Sequence, residues 1–296
     1  MGVSDLDLAS QVRRLGWATL VANIGLVVTG GAVRLTASGL GCPTWPRCTE
    51  ESFTPHGELD LHSAIEFGNR MLTFVLAAIA ILTFVAAWQT RRRDLRLLAF
   101  LLGVGIPAQA VIGGMTVLTD LNPWVVSFHL LCSLAIICLA VLFLWRLDRP
   151  DPAPVRSPMV TLAWLVFVVG WVVLYIGTVV TGSGPHAGDL DVPRNGLDPL
   201  QLSQLHADAV FLFVGLTIAL VVVADAGAAR RAAAVLLTIE LAQGLVGFVQ
   251  YFTDLPIVLV GFHLLGAALV SAAMTWTLLA VREPASVGSP HMATAP

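Results

Sequence analysis

The sequence is short of charge. Only 12% of its 296 residues are charged, it contains no lysine, and its cysteines number four. With 57% apolar residues and a mean hydropathy of +0.84, it lacks the polar surface that a soluble domain of this size needs, so that class is excluded. The basic residues are all arginine and fall in short clusters between apolar runs. No basic stripe suggests a nucleic-acid partner. No cleavable signal peptide is expected either. The first apolar run, Gly16–Val33, continues into a loop without a small-residue cleavage site and reads as a membrane span.

What is present is a series of runs of roughly 20 apolar residues, the length that crosses a bilayer as a helix. Eight spans are expected, at about 15–34, 61–88, 95–118, 124–145, 159–181, 200–224, 229–252 and 257–281. Threading eight spans puts Arg13, Arg14, Arg91, Arg92, Arg93, Arg96, Arg146, Arg149, Arg156, Arg230, Arg231 and Arg282 on one side. Arg34, Arg47 and Arg194 fall on the other. The positive-inside bias therefore predicts a multi-pass cell-membrane protein with both termini cytoplasmic.

The chain repeats itself. Gln109–Leu131, QAVIGGMTVLTDLNPWVVSFHLL, aligns without gaps on Gln243–Leu265, QGLVGFVQYFTDLPIVLVGFHLL, with ten of twenty-three positions identical. Span one ends VVTGG (Val27–Gly31) and span five ends VVTGS (Val179–Ser183). Four helices used twice enter the membrane in the same direction. The expected fold is thus an all-α membrane protein of two tandem four-helix bundles, related by a pseudo-twofold axis along the membrane normal. The expected division is an N-terminal half over 12–148, a Pro-rich cytoplasmic linker over 149–158, a C-terminal half over 159–282 and a disordered tail over 283–296. A transporter reading would rest on the parallel repeat alone. It has no broken helices at matched positions to support it.

The stretch LHSAIEFGNR (Leu61–Arg70) brings ionisable residues to the mouth of a membrane helix, where a functional site is the default reading. On a helix His62, Glu66 and Asn69 share one face. Glu66 is the best acid–base candidate; the alternative is a helix-start carboxylate paired with Arg70 at i+4. Four histidines, His62, His129, His206 and His263, fall near the outer ends of the even-numbered spans, two in each half. Singly, each reads as an interfacial residue bonded to backbone or water. As a set of four they suggest metal ligands, and spacing leaves haem iron, zinc or copper, and proton-relay roles open. Cys132 and Cys138 read as core residues. Gln109, Gln243, Gly113 and Gly247 repeat faithfully and read as packing positions.

Taken together and in order, GLGCPTWPRC (Gly39–Cys48), HSAIEFGNR, the two FHLL helices and the four-plus-four repeat resemble the haem A synthase family over about residues 12–282. The resemblance implies oxidation of the C8 methyl of haem O to a formyl group by successive hydroxylations, for terminal oxidase assembly. It implies a substrate haem in the N-terminal half, with His129 as ligand and Glu66 beside it. It also implies a haem b cofactor on His206 and His263. The family pattern places a histidine where this chain has Asn69, followed by Arg70. His62 is therefore expected to stand in as second substrate-haem ligand; the alternative leaves His129 alone, with water or Glu66 on the other face. Asn69, Arg70 and Arg34 are candidate haem contacts, the arginines through propionates.

Cys42 and Cys48 face the oxidising side and are expected to form a disulfide, either a staple or a redox element suggested by the resemblance. The implied partners are haem O, a haem O synthase, an electron acceptor and membrane lipid, without nucleic acid; a homo-oligomer stays open. The competing function is a di-haem bis-His cytochrome b passing electrons from quinol.

Overall fold

The structure, a computed structural model, describes residues 3–55, 60–149 and 157–282. Among these residues there are eight helices and no strand: α1 Val3–Leu35, α2 Leu61–Gln89, α3 Arg93–Leu118, α4 Pro123–Asp148, α5 Pro158–Ser183, α6 Pro199–Val223, α7 Ala228–Phe252 and α8 Ile257–Val281. All eight are long and apolar enough to cross a membrane, α1 over Ser10–Leu35. The spans read from the sequence coincide with them except at α1, which begins twelve residues early. Its first turns carry Asp5 and Asp7, polar residues that a helix accepts but a hydropathy reading stops at. His56, most of the expected linker (150–156) and the expected tail (283–296) lie outside the described residues.

Local chemistry starts and ends the helices. Asp60, Asn122, Ser157 and Asp198 each accept a hydrogen bond from a backbone N–H of the turn they precede. Proline opens α4, α5 and α6, where its missing N–H has no intrahelical partner to lose. The two TDL turns end α3 and α7 identically. Asp120 and Leu121, like Asp254 and Leu255, take left-handed backbone angles between 51° and 59°. Leu121 N–H then returns to the Thr116 carbonyl and Leu255 N–H to the Gln250 carbonyl, both at 2.8 Å. The Thr119 and Thr253 hydroxyls donate back to the carbonyls of Met115 and Val249.

Each set of four helices closes into a ring of neighbours, α1–α2–α3–α4 and α5–α6–α7–α8. Between the sets, α4 packs on α8 and α5, and α1 on α8. This neighbour pattern is unchanged when α1–α4 are exchanged for α5–α8. Helices α1, α4, α5 and α8 lie centrally, and one apolar core runs through both sets, from Val12 and Phe143 to Phe213 and Met274. The helix ends that carry the loops 36–60 and 184–198 are joined as well. Gly39 N–H bonds the Gly188 carbonyl at 2.9 Å, and Leu121, Ala187 and Val192 form a small apolar cluster with Leu40 and Val126. The loops of the two halves thus make one cap.

Candidate functional site

Three histidines stand at one depth. His129 lies six residues after the start of α4, His263 six after that of α8, and His206 seven after that of α6. At 1.5 Å per residue, that is about 9–10 Å below the helix ends. His62 lies one residue into α2, so the expectation of four histidines at matching depth fails for it. Asn69 of α2 lies near that level, eight residues in, about 12 Å from the helix start.

His206 and His263 face each other across the C-terminal half, with ring centroids 6.4 Å apart and planes at 77°. Among the described residues they are the only two histidine rings in contact. Each lies over a glycine of the neighbouring helix. A Cβ on Gly177 would come within 3.1 Å of the His206 ring, and one on Gly247 within 3.5 Å of His263. Both Nδ1 atoms are buried and make no hydrogen bond. The backbone of Val173 faces one ring and that of Gln243 the other. In α7, one turn inward of Gln243, Glu240 is 3% exposed; Thr217 of α6 donates to its Oε1 at 2.8 Å, and its Oε2 has no partner. The sequence reading missed this carboxylate. The signal was there, a lone Glu inside an apolar span.

The N-terminal half repeats half of this arrangement. A Cβ on Gly113 would come within 3.2 Å of the His129 ring, as Gly247 does for His263, and His129 Nδ1 is again buried without a partner. Gln109 Nε2 and Ser133 Oγ both donate to the His129 carbonyl, at 3.1 Å each, and fix that turn of α4. His62 is elsewhere. Its ring is exposed, its Nδ1 is 3.0 Å from Ser38 Oγ, and it lines an outer cavity of about 310 Å³ with Asp60, Asp189 and Leu190.

Glu66 is buried, 5% exposed, and both oxygens are engaged. Cys42 N–H donates to Oε2 at 2.6 Å, and Arg70 Nε donates to Oε1 at 3.1 Å. Arg70 in turn donates to the carbonyls of Cys42, Thr44 and Arg47. The Glu66–Arg70 pair therefore clips the loop of Cys42 and Cys48 to α2. Those two cysteines form a disulfide, buried to 0% and 1% exposure. Trp45, in the same loop, packs on Gly114 of α3 so closely that no Cβ would fit, beside Gly113 and the His129 ring. The loop thus roofs the N-terminal half from α2 to α3.

Arg34 belongs to the last turn of α1, not to the outer loop. It donates to the carbonyls of His186 and Thr181 in the C-terminal half, at 2.6 and 3.0 Å. Its guanidinium ties the halves together. Burial, and then the positive charge of Arg34, hold the His186 imidazole below its ordinary range.

A family model described as cytochrome oxidase assembly protein (COX15-CtaA) matches residues 13–64 and 58–188. The chain is 32% identical over 180 residues to the heme A synthase of Lysinibacillus sphaericus, covering 57% of this chain and 58% of that one. It is 24% identical over 276 residues to the heme A synthase of Staphylococcus epidermidis strain ATCC 12228, covering 86% and 91%. It is 28% identical over 160 residues to that of Geobacillus thermodenitrificans, covering 52% and 50%. The match thus spans little more than half the length of the first relative and nearly all of the second.

Proposed function

This chain belongs to the cytochrome oxidase assembly protein family, and on that premise we propose that it is an oxidoreductase converting haem O to haem A. The C8 methyl of haem O is hydroxylated twice, each step passing two electrons to an external electron acceptor with water as the oxygen source, and loss of one water from the resulting diol leaves the formyl group. The C-terminal half, residues 159–282, holds haem b, and the N-terminal half, residues 12–148, takes the substrate. The halves are related by a pseudo-twofold axis along the membrane normal. Both termini lie on the cytoplasmic side, where twelve of the sixteen arginines collect.

The observation that carries this reading is the facing pair His206 and His263. Two imidazoles on one metal ion, each bonded at roughly 2.0–2.1 Å with about 1.1 Å more to the ring centre, put their centroids about 6.3 Å apart. The pair stands at 6.4 Å. Buried imidazoles that make no hydrogen bond through Nδ1 suit rings held by a metal through the other nitrogen. The glycines beneath let a flat macrocycle approach the helices. These residues fit haem. Bound there, haem b supplies one-electron chemistry.

In the N-terminal half His129 holds the substrate iron. Glu66, one turn outward of Asn69 on the same side of α2, holds and returns protons during the methyl oxidation. Arg70 donates to Oε1 through both Nε and Nη2, and the Cys42 amide donates to Oε2, which keeps one lone pair for a further donor. The disulfide loop, with Trp45 on α3, excludes water from above. The electron-carrier reading asks for two imidazoles in each half, and near the common depth the N-terminal half has one imidazole and one amide.

Pigment extraction tests the proposal. The wild type and Glu66→Ala are purified from a host that makes haem O. Haem A with the wild type, and haem O or an alcohol intermediate with the variant, are expected. Haem b alone in both would overturn the reaction.

A further inference from the structure

The two halves differ at one iron-facing position, and the difference is structural as well as sequential. His129 answers to His263 in the repeat. The VVTGG and VVTGS matches put Gly25 and Thr29 of α1 where α5 has Gly177 and Thr181, four residues apart on one helix face. In the C-terminal half the His206 ring fills the space over Gly177, 3.1 Å from a built Cβ. In the N-terminal half the residue near that depth of α2 is Asn69, and it faces the same stretch of α1. Thr29 Oγ1 donates to its Oδ1 at 2.8 Å, and its Nδ2 lies 4.0 Å from a Cβ on Gly30. Over Gly25 a Cβ would meet nothing within 4 Å. The room that an imidazole occupies in one half is open in the other.

His62 does not close it. It sits seven residues before Asn69, about 10 Å nearer the outer surface along α2, and its Nδ1 pairs with Ser38. Glu66 does not close it either. Its two oxygens are tied to Arg70 and the Cys42 amide.

We propose that the substrate iron has His129 as its one protein ligand, and that its opposite face, between Asn69 and Gly25, binds a small neutral ligand of the size of dioxygen. This rests on the reading of the N-terminal half as the substrate-haem site. Thr29 takes the Asn69 carbonyl oxygen and so turns the amide donors toward the remaining space. An amide N–H there steadies a polarised diatomic ligand and leaves it free to exchange, whereas a second imidazole would occupy the position outright.

Carbon monoxide is the probe. The purified, haem-loaded protein is reduced and titrated with carbon monoxide, and its haems are extracted and identified. One haem is expected to bind the gas, while the other, on His206 and His263, stays low-spin and inert. Asn69→His should turn the first haem low-spin and reduce gas binding at least tenfold; the unchanged signal of the second haem reports that the variant is folded. His62→Ala should leave gas binding as in the wild type. Haem O or haem A in the extract with no gas binding would overturn this inference and leave the reaction standing. So would gas binding that appears only in His62→Ala. A gas-binding haem lost in Asn69→His, with haem b as the only extracted pigment, would uphold the open face and overturn the substrate assignment.

Discussion

Adding one methyl group at Gly177 separates the two halves of the molecule. The Cβ of Gly177→Ala would lie 3.1 Å from His206 Cε1, where carbon atoms prefer about 3.5–4.0 Å. The ring must therefore retreat by a few tenths of an ångström, more than the roughly 0.2 Å by which metal–ligand distances in a sound site vary. Overpacking of this kind costs about 1–3 kcal/mol, which corresponds to about a 5- to 150-fold weaker hold on the C-terminal haem. Gly25→Ala, at the matching position of α1, meets nothing within 4 Å and serves as the control. The assay is haem retained per protein after detergent purification, with the low-spin spectrum of the reduced protein. Gly177→Ala should lose low-spin haem and Gly25→Ala should keep it. Equal, undiminished low-spin haem in both would refute the assignment of His206 as a ligand braced by that glycine.

The loop clip and the cap give two further tests. Arg70→Ala strips donors from three loop carbonyls and leaves Glu66 buried without its cation, a loss of about 3 kcal/mol or more. Because the disulfide is buried, reduction by an added thiol needs the loop to open, so labelling of Cys42 and Cys48 after mild reduction should quicken about a hundredfold; an unchanged rate would sink the clip. The His186 imidazole is held low by burial and by Arg34, so the unfolded chain binds its proton more readily than the folded one. Stability tied to His186 is therefore full above the ordinary histidine range, near pH 6.5, and is lost as pH falls below it. Thermal unfolding between pH 8 and 5 should show a smaller acid loss in His186→Gln than in the wild type, and identical profiles would remove His186 from that account.

The spans were legible because a bilayer imposes both length and composition on whatever crosses it, and the charged early turns of α1 escaped because a helix outside the membrane obeys neither. The histidines at 129 and 263 were legible because the repeat marks their position twice, and His206 because it is a histidine near the start of an apolar span. His62 misled because a residue type carries no depth; its place at the second residue of α2 separates it from the others only once the helix start at Asp60 is fixed. Glu240 went unread for the opposite reason. It has no counterpart in the first half, where the corresponding region of α2 and α3 packs Leu76, Ala80 and Ile106 together, and a repeat draws attention only to what recurs.

By itself, then, the sequence determined the eight apolar helices, the internal sequence repeat, the cysteine loop and the set of candidate residues. Each of these depends on chemistry or periodicity carried along the chain. The tertiary structure alone decided which side chains meet. It placed His206 opposite His263 and Asn69 beside Thr29. It spent both Glu66 oxygens on Arg70 and the Cys42 amide, and it sent Arg34 of the first half to carbonyls of the second. Those contacts join residues far apart in the chain, and they depend on how far each helix is rotated and how deep it sits, which packing against neighbouring helices sets and local sequence does not.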